Sequence, residues 1–460
     1  MNTPVPPVIK MYAAREQIYP RETSGRYVTW RWTCVFLTQI VFYGLPWLTW
    51  NGRQALLFDL GARKFYIFGL ILWPQDFIYL AALLIVCACL LFLVTAIAGR
   101  VWCGFACPQT VYTKMFLWIE TRIEGSRSAR MALDKRGPSL AKTAKKVAKH
   151  LAWGLVALWT GFTFVSYFTP VKVLDQEVFR LALGPWELFW VLFYSLATYG
   201  NAGWMREQVC KYMCPYARFQ SAMFDLDTLI VTYDAARGEP RAPLGRKDAN
   251  APRQGDCIDC TLCVQVCPVG IDIRQGLQYE CIGCAACVDA CNGVMDKVER
   301  PRGLVRFSTL AVGFTAAQIR QRALRPRVRI YSAILLLIVG AVATSLYLRV
   351  PLKLDVIRDR GAMGREVENG AIENAYRLQI MNTSEQAHRY RIRVSGVPTL
   401  SLATPDEVSV GATQTYALPV RLRLAPGAGK RGSNKIRIEL QALDEERLQV
   451  TEKAVFIVPR

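Results

Sequence analysis

Between residues 257 and 291 the chain reads CIDCTLCVQVCPVGIDIRQGLQYECIGCAACVDAC, eight cysteines in 35 positions. The spacing is C-x2-C-x2-C-x3-C-P followed by C-x2-C-x2-C-x3-C, the two-cluster pattern of bacterial ferredoxins. Each cubane takes three thiolates from one tight loop and the fourth from the other motif. One cluster is therefore assigned to Cys257, Cys260, Cys263 and Cys291, the other to Cys281, Cys284, Cys287 and Cys267. Two structural zinc knuckles are the competing reading, but zinc sites seldom use the triple spacing. The second motif ends Cys291-Asn292 without the usual proline, a change in how that ligand is held that removes no ligand. Two 4Fe–4S cubanes in one small α+β fold make an electron relay. The wide range of cluster potentials leaves its direction open.

The other cysteines fit the same reduced-thiol chemistry. Fifteen occur in all, none from Val350 to Arg460, and twelve fall in C-x2-C or C-x3-C spacings. That is a metal-ligating pattern and not a disulfide framework. Histidine is confined to His150 and His388, which excludes a membrane b-type haem and most zinc and copper enzymes. Two C-x3-C-P motifs remain, Cys103/Cys107 in VWCGFACPQT and Cys210/Cys214 in VCKYMCPYAR. Thiols at i and i+4 share a helical face. Pro108 and Pro215 suit the first position of a following helix, where the dipole is expected to lower the thiol pKa. Each pair can hold a soft ion or close a disulfide reversibly, and thiolates select copper(I), zinc or an iron–sulfur centre. Both pairs are expected to converge on one site. Cys34, Cys87 and Cys89 read as small packing residues.

The chain is 52% hydrophobic yet carries a net charge of +21, a combination that points to a membrane protein with basic flanks. The basic residues form no groove-like cluster among aromatics, so nucleic acid is not an expected partner. Five segments approach a membrane span: 32–50, 77–98, 151–169, 186–204 and 331–348. The first thirty residues are polar, and the first span is expected to act as an uncleaved anchor. Two shorter apolar runs are expected as an outer hairpin or re-entrant piece (65–73) and an interfacial helix (307–319). Lys/Arg counts alternate along the successive loops: five in the N-terminal arm, three in the next loop, eleven in 99–150, two in 170–185 and eighteen in 205–330. The N-terminus and all twelve motif cysteines are then cytoplasmic, and the C-terminal domain lies outside. Lys142, Lys145, Lys146 and Lys149 line one helical face and are expected against anionic membrane lipid.

From about residue 353 the pattern alternates as in strands, in AYRLQIMN, YRIRVSG, TYALPVRLRL, NKIRIELQAL and KAVFIVPR. Short strands at this spacing predict an immunoglobulin-like β-sandwich. Without cysteine it cannot form a blue-copper site, and it reads as a docking or spacer module. The expected organisation is a cytoplasmic arm (1–31), a four-span α-helical membrane domain (32–204) and a cytoplasmic region (205–330) with the ferredoxin-like domain at about 250–300. A fifth span (331–348) and a periplasmic sandwich (350–460) follow.

Paired C-x3-C-P motifs, a double ferredoxin cassette and a C-terminal sandwich, in that order, resemble the CcoG/FixG (RdxA/RdxB) family of cbb3-type cytochrome c oxidase accessory proteins. FGLILWPQDF, GRVWCGFACPQTVYTKMFLWIE and CKYMCPYARFQSAMFDLDTLIVTYD look like its signatures. The resemblance covers essentially the whole chain. It implies a protein of the bacterial inner membrane that assists assembly of the oxidase copper centre by reducing copper(II) to copper(I). Copper would sit at Cys103, Cys107, Cys210 and Cys214, and the partners would be oxidase assembly factors or a copper chaperone, with an unidentified electron donor. Two other roles stand beside it: a quinol- or flavoprotein-linked electron-transfer subunit, and a non-catalytic assembly scaffold.

Overall fold

The computed structural model describes residues 17–243, 255–309, 325–359, 361 and 364–459. The chain forms two compact units, Met1–Leu48 with Leu83–Leu337, and Thr49–Ala82 with Ile338–Arg460.

The first unit is helical around a small mixed domain. Its main helices are Arg26–Gly44, Pro108–Glu124, Leu140–Val165 and Pro185–Tyr199. The side chain of Ser139 accepts the Lys142 amide and caps the third of these. Pro108 and Pro185 occupy first-turn positions, where the missing N–H costs nothing. Among the described residues two helices are long and apolar enough to cross a membrane, Pro74–Ala98 and Pro326–Tyr347. The other three expected spans are also helical, but for shorter or more polar stretches. Arg26–Gly44 has 19 residues, and Pro185–Tyr199 has 15 before it widens into a π-helix over Gly200–Met205. Leu140–Val165 runs 26 residues but spends its first turns on lysines.

Three of those four lysines have partners within the protein. Lys149 pairs with Glu124 at 2.8 Å, and Lys146 with Glu124 at 3.0 Å and Asp134 at 2.6 Å. Lys142 donates to the carbonyl oxygens of Asp134 and Arg136, and Lys145 alone is exposed. Glu120, also buried, pairs with Arg206 at 2.6 Å and Arg130 at 3.7 Å. The carboxylates come from Pro108–Glu124 and Arg127–Lys135, so the lysine face is fixed by partners remote in sequence.

The cysteine cassette lies between two strands, Ile230–Tyr233 and Val305–Ser308, that pair antiparallel with Val231 opposite Phe307. Val231, Val305, Ile273, Ala285 and Val288 form its core with Cys263. The interfacial helix expected over 307–319 therefore does not begin at Phe307, which is in a strand. Residues 310–319 lie outside the described residues.

In the second unit, one sheet orders Ser401–Leu402, Thr415–Leu424, Ile372–Asn382 and Leu352–Arg358, with Arg365–Glu366 also paired to Ile372–Asn382. The other orders Glu407–Val410, His388–Ser395, Gly432–Ala442 and Gln449–Val458. Alternate residues such as Tyr376, Leu378 and Ile380, and Ile436, Ile438 and Leu440, fill the space between the sheets, as the period of two requires. This is the expected sandwich.

The predicted hairpin is a three-stranded antiparallel sheet, Leu56–Asp59, Lys64–Ile67 and Leu70–Leu72. Ile71 and Trp73 pack on Met381 of the sandwich. Arg53 pairs with Glu385 at 2.8 Å, and buried Asp76 takes Arg349 at 2.8 Å and also Lys353. Removing one partner of a buried ion pair strands the other, at roughly 3 kcal/mol. Asp76→Ala is thus expected to speed amide hydrogen exchange across residues 56–72 and leave the 436–440 strand protected. Unchanged exchange in 56–72 would mean that Asp76 does not hold the hairpin on the sandwich.

Candidate metal centre

The two halves of the cassette repeat one backbone device. In Ile258-Asp259-Cys260-Thr261 and Ile282-Gly283-Cys284-Ala285, the second and fourth residues all have φ between 52° and 66°. Three of those four are not glycine, so the left-handed turns are held against local preference. Such turns aim successive amides into a concavity suited to an anion. Thr261 and Ala285 then open the helices Leu262–Gln265 and Ala286–Lys297, which carry Cys263 and Cys287.

The eight cysteines line two adjoining cavities. Cys257, Cys260, Cys263 and Cys291 line one, and Cys267, Cys281, Cys284 and Cys287 the other, with Cys263 in the wall of both. Amides of Val269, Gly270 and Ile271 point at the Cys267 sulfur, that of Gly283 at Cys281, and that of Val305 at Cys291. Burial nevertheless pushes Cys263 and Cys281 to about 12, and Cys267 and Cys291 to about 11. Thiols this reluctant to ionise need metal to hold them as thiolates, so loading the sites releases protons. An all-thiol donor set with inward amides suits a 4Fe–4S cubane at each cavity.

The C-x3-C-P cysteines also come together. Cys103 lies in the short helix Val101–Phe105, and Cys107 caps Pro108–Glu124. Cys210 lies in the π-helical turn Val209–Met213, and Cys214 precedes Pro215–Ala222. Neither pair is on one continuous helix, so the shared-face geometry is not what unites them. Tertiary folding does. Cys107 lies within electrostatic reach of Cys103, Cys210 and Cys214, and Cys214 within reach of Cys103 and Cys210. The Cys103 thiol donates to Gln220 Oε1 at 3.1 Å, and fully buried Gln220 donates to Thr95 Oγ1 (3.0 Å) and the Tyr216 hydroxyl (2.9 Å). One amide thereby ties the first motif to the helix that begins at the second.

The lowering expected of Cys107 is reversed. Amides of Gln109 and Thr110 do favour the Cys107 thiolate, but burial outweighs them, and Cys103 and Cys107 are both raised. Burial takes Cys210 to about 12. A helix N-terminus lowers a thiol pKa only where the charge keeps some solvation.

This quartet sits directly on the cassette. Cys103 and Cys210 pack with Ile282, Cys284, Cys267 and Cys281. At Gly104 the backbones touch: an added Cβ would lie 2.8 Å from Cys284 Cα and from the Ile282 carbonyl oxygen. At Gly283 the reciprocal Cβ would meet the Arg100 carbonyl group at 3.2 Å. Arg31 Nε holds the Gly104 carbonyl at 3.1 Å. Arg100 is buried between the two centres, hydrogen-bonds Cys103 and attracts Cys107, Cys210 and Cys281. Among the described residues, no three thiol, imidazole or carboxylate groups converge on a point where a single ion would bind.

Arg100, Gln220 and Gly104 are the residues in contact with these centres that sequence reasoning missed. The only local signals were an arginine at the end of an apolar run and a glycine between two cysteines. Cys34 and Cys89 are half-buried, but Cys87 is exposed on Phe77–Ala98, so it is not the buried packing residue expected.

A 4Fe-4S dicluster domain model matches residues 205–310, and a 4Fe-4S binding domain model matches 80–124. The model of the Ig-like fold at the C-terminal of FixG matches 342–459. The chain is 36% identical to the protein RdxB of Cereibacter sphaeroides, over 97% of this chain and 96% of that one. It is 37% identical to the nitrogen fixation protein FixG of Rhizobium meliloti, over 90% of this chain and 87% of that one. The crystal structure of a FixG-related protein from Vibrio parahaemolyticus aligns with 24% of this chain and 96% of its own, at 26% identity and a TM-score of 0.22.

Proposed function

The chain belongs to the FixG/RdxA/RdxB family, and on that premise we propose that it is a membrane electron-transfer protein that reduces copper(II) to copper(I) for cbb3-type oxidase biogenesis. The eight cassette thiolates would hold the clusters, which would supply one-electron chemistry. Each copper(II) ion, the substrate, takes one electron, and a reduced flavoprotein or quinol replaces it. The thiol quartet is the exit, where copper receives that electron. The observation that carries this reading is the backbone contact at Gly104, which seats the quartet against the Cys281–Cys287 loop.

Membrane insertion is supported by the two long apolar helices. The hairpin of residues 56–72 packs on the sandwich, so both stand on one side of any membrane. That requires an even number of crossings between residues 76 and 349, and the five-span topology has four. With basic loops inside, the cassette faces the reducing cytoplasm and the sandwich the periplasm.

The test separates an electron carrier from a scaffold. Cells producing Cys260→Ser or Cys284→Ser at the wild-type protein level are expected to lose most cbb3-type oxidase activity. Their copper(I) yield in a copper(II)-reduction assay should fall at least tenfold. Normal oxidase assembly in both variants would leave the clusters a structural role and end this reading.

A further inference from the structure

We infer that Cys103, Cys107, Cys210 and Cys214 together hold a third resident 4Fe–4S cluster; this deepens the reading of the quartet as the exit for electrons. The first observation is a repeated local design. In the cassette, Cys267 is followed by Pro268, and the amides two and three positions on, Val269 and Gly270, point at its sulfur. Cys107 is followed by Pro108, and the amides of Gln109 and Thr110, at the same two positions, point at its sulfur. The pattern that serves a cluster ligand in the cassette is built again at the exit.

The second observation is spacing. A lone copper(I) or zinc ion needs its sulfurs about 2.3 Å from one point, and among the described residues no three ligating groups meet that arrangement. The eight cassette cysteines do not meet it either, because a cubane spreads its thiolates over a wider cage. The quartet shares that property with the cassette sites, and its four thiols still lie within electrostatic reach of one another.

The third observation is Arg100. It is 4% exposed, its guanidinium makes no ion pair with a described carboxylate, and its Nε finds no acceptor. An unpaired buried cation is costly. Arg100 donates to the Tyr279 carbonyl oxygen, hydrogen-bonds Cys103, and attracts Cys107, Cys210 and Cys281. A cluster with four thiolates is a dianion when oxidised, and at the quartet it would give Arg100 the counter-charge that no described side chain supplies. The 4Fe-4S binding domain match over 80–124 includes Cys103 and Cys107. Two thiols from one motif do not complete a cubane, and the fold brings the second pair, Cys210 and Cys214, to them.

The experiment is iron and acid-labile sulfide analysis of the full chain purified anaerobically, with Mössbauer spectra of iron-57-labelled protein. About twelve iron and twelve sulfide per chain are expected, falling to about eight of each in the quadruple Cys→Ser variant. Cys214→Ser alone, a milder change, should alter the spectral component of one cluster in three and leave the other two as they were. About eight iron in the wild type, or no change of iron content and spectrum in these variants, would overturn the proposal. Copper bound at the quartet in place of iron would overturn it too, and return the site to direct copper binding. Twelve irons in a protein that fails to reduce copper would contradict the proposed function and leave the third cluster standing.

Discussion

Replacing Glu124 by leucine is expected to destabilise the chain by roughly 3–5 kcal/mol, the cost of stranding a buried charge. Glu124 is 1% exposed and meets Lys149 at 2.8 Å and Lys146 at 3.0 Å. Lys149 is itself buried, and without Glu124 it would keep a desolvated ammonium with no carboxylate in contact. Burial already lowers the Lys149 pKa, and Glu124 acts against that. In the variant the folded-state value drops further. Below it Lys149 is charged and the folded state bears the penalty, and above it the amine is neutral and the penalty fades. The stability deficit should therefore shrink as pH rises toward the ordinary lysine value of about 10.4. Thermal unfolding of wild type and variant at a series of pH values in the same detergent measures this. A deficit independent of pH would mean that Lys149 is not the stranded group.

Gly104→Val is expected to separate the quartet from the cassette. Its Cβ would lie 2.8 Å from Cys284 Cα and from the Ile282 carbonyl oxygen. These are backbone atoms, and no rotamer change moves them away. Overpacking of this kind costs about 1–3 kcal/mol, and relief requires Val101–Phe105 to shift off the 282–284 loop. The expected result is retained iron in the cassette with copper(II) reduction reduced at least tenfold. A Gly104→Val protein with full iron and full copper reduction would show that this contact carries no electrons.

What could be read from the sequence was what depends on local spacing. The cassette thiols were read from the spacing of a cluster cradle, and the two sets named from the motifs line two adjoining cavities. The sandwich strands follow from a period of two, as at Tyr376, Leu378 and Ile380. The lysine face of Leu140–Val165 was legible as a face, but its partners on Pro108–Glu124 and Arg127–Lys135 were not, because ion pairing across helices leaves no periodic mark. The acidity expected of Cys107 failed for a related reason. Pro108 announces a helix N-terminus, yet burial beneath the cassette outweighs it and is a property of tertiary packing. Arg100 and Gln220 could not be found at all, since each matters only through sulfurs that folding brings to it.

The central claim is that electrons held in this chain reach copper. The most direct measurement mixes anaerobic, reduced full-length protein with copper(II) and follows two signals in one cuvette. One is the visible absorbance of the iron–sulfur chromophore, the other a copper(I)-specific chelating dye. The account predicts that reoxidation and copper(I) formation rise together, one copper(I) for each electron lost. It also predicts that both signals fail in Cys103→Ser/Cys107→Ser/Cys210→Ser/Cys214→Ser protein whose cassette stays reduced. Reoxidation without copper(I), or an undiminished copper(I) yield in that variant, would contradict it.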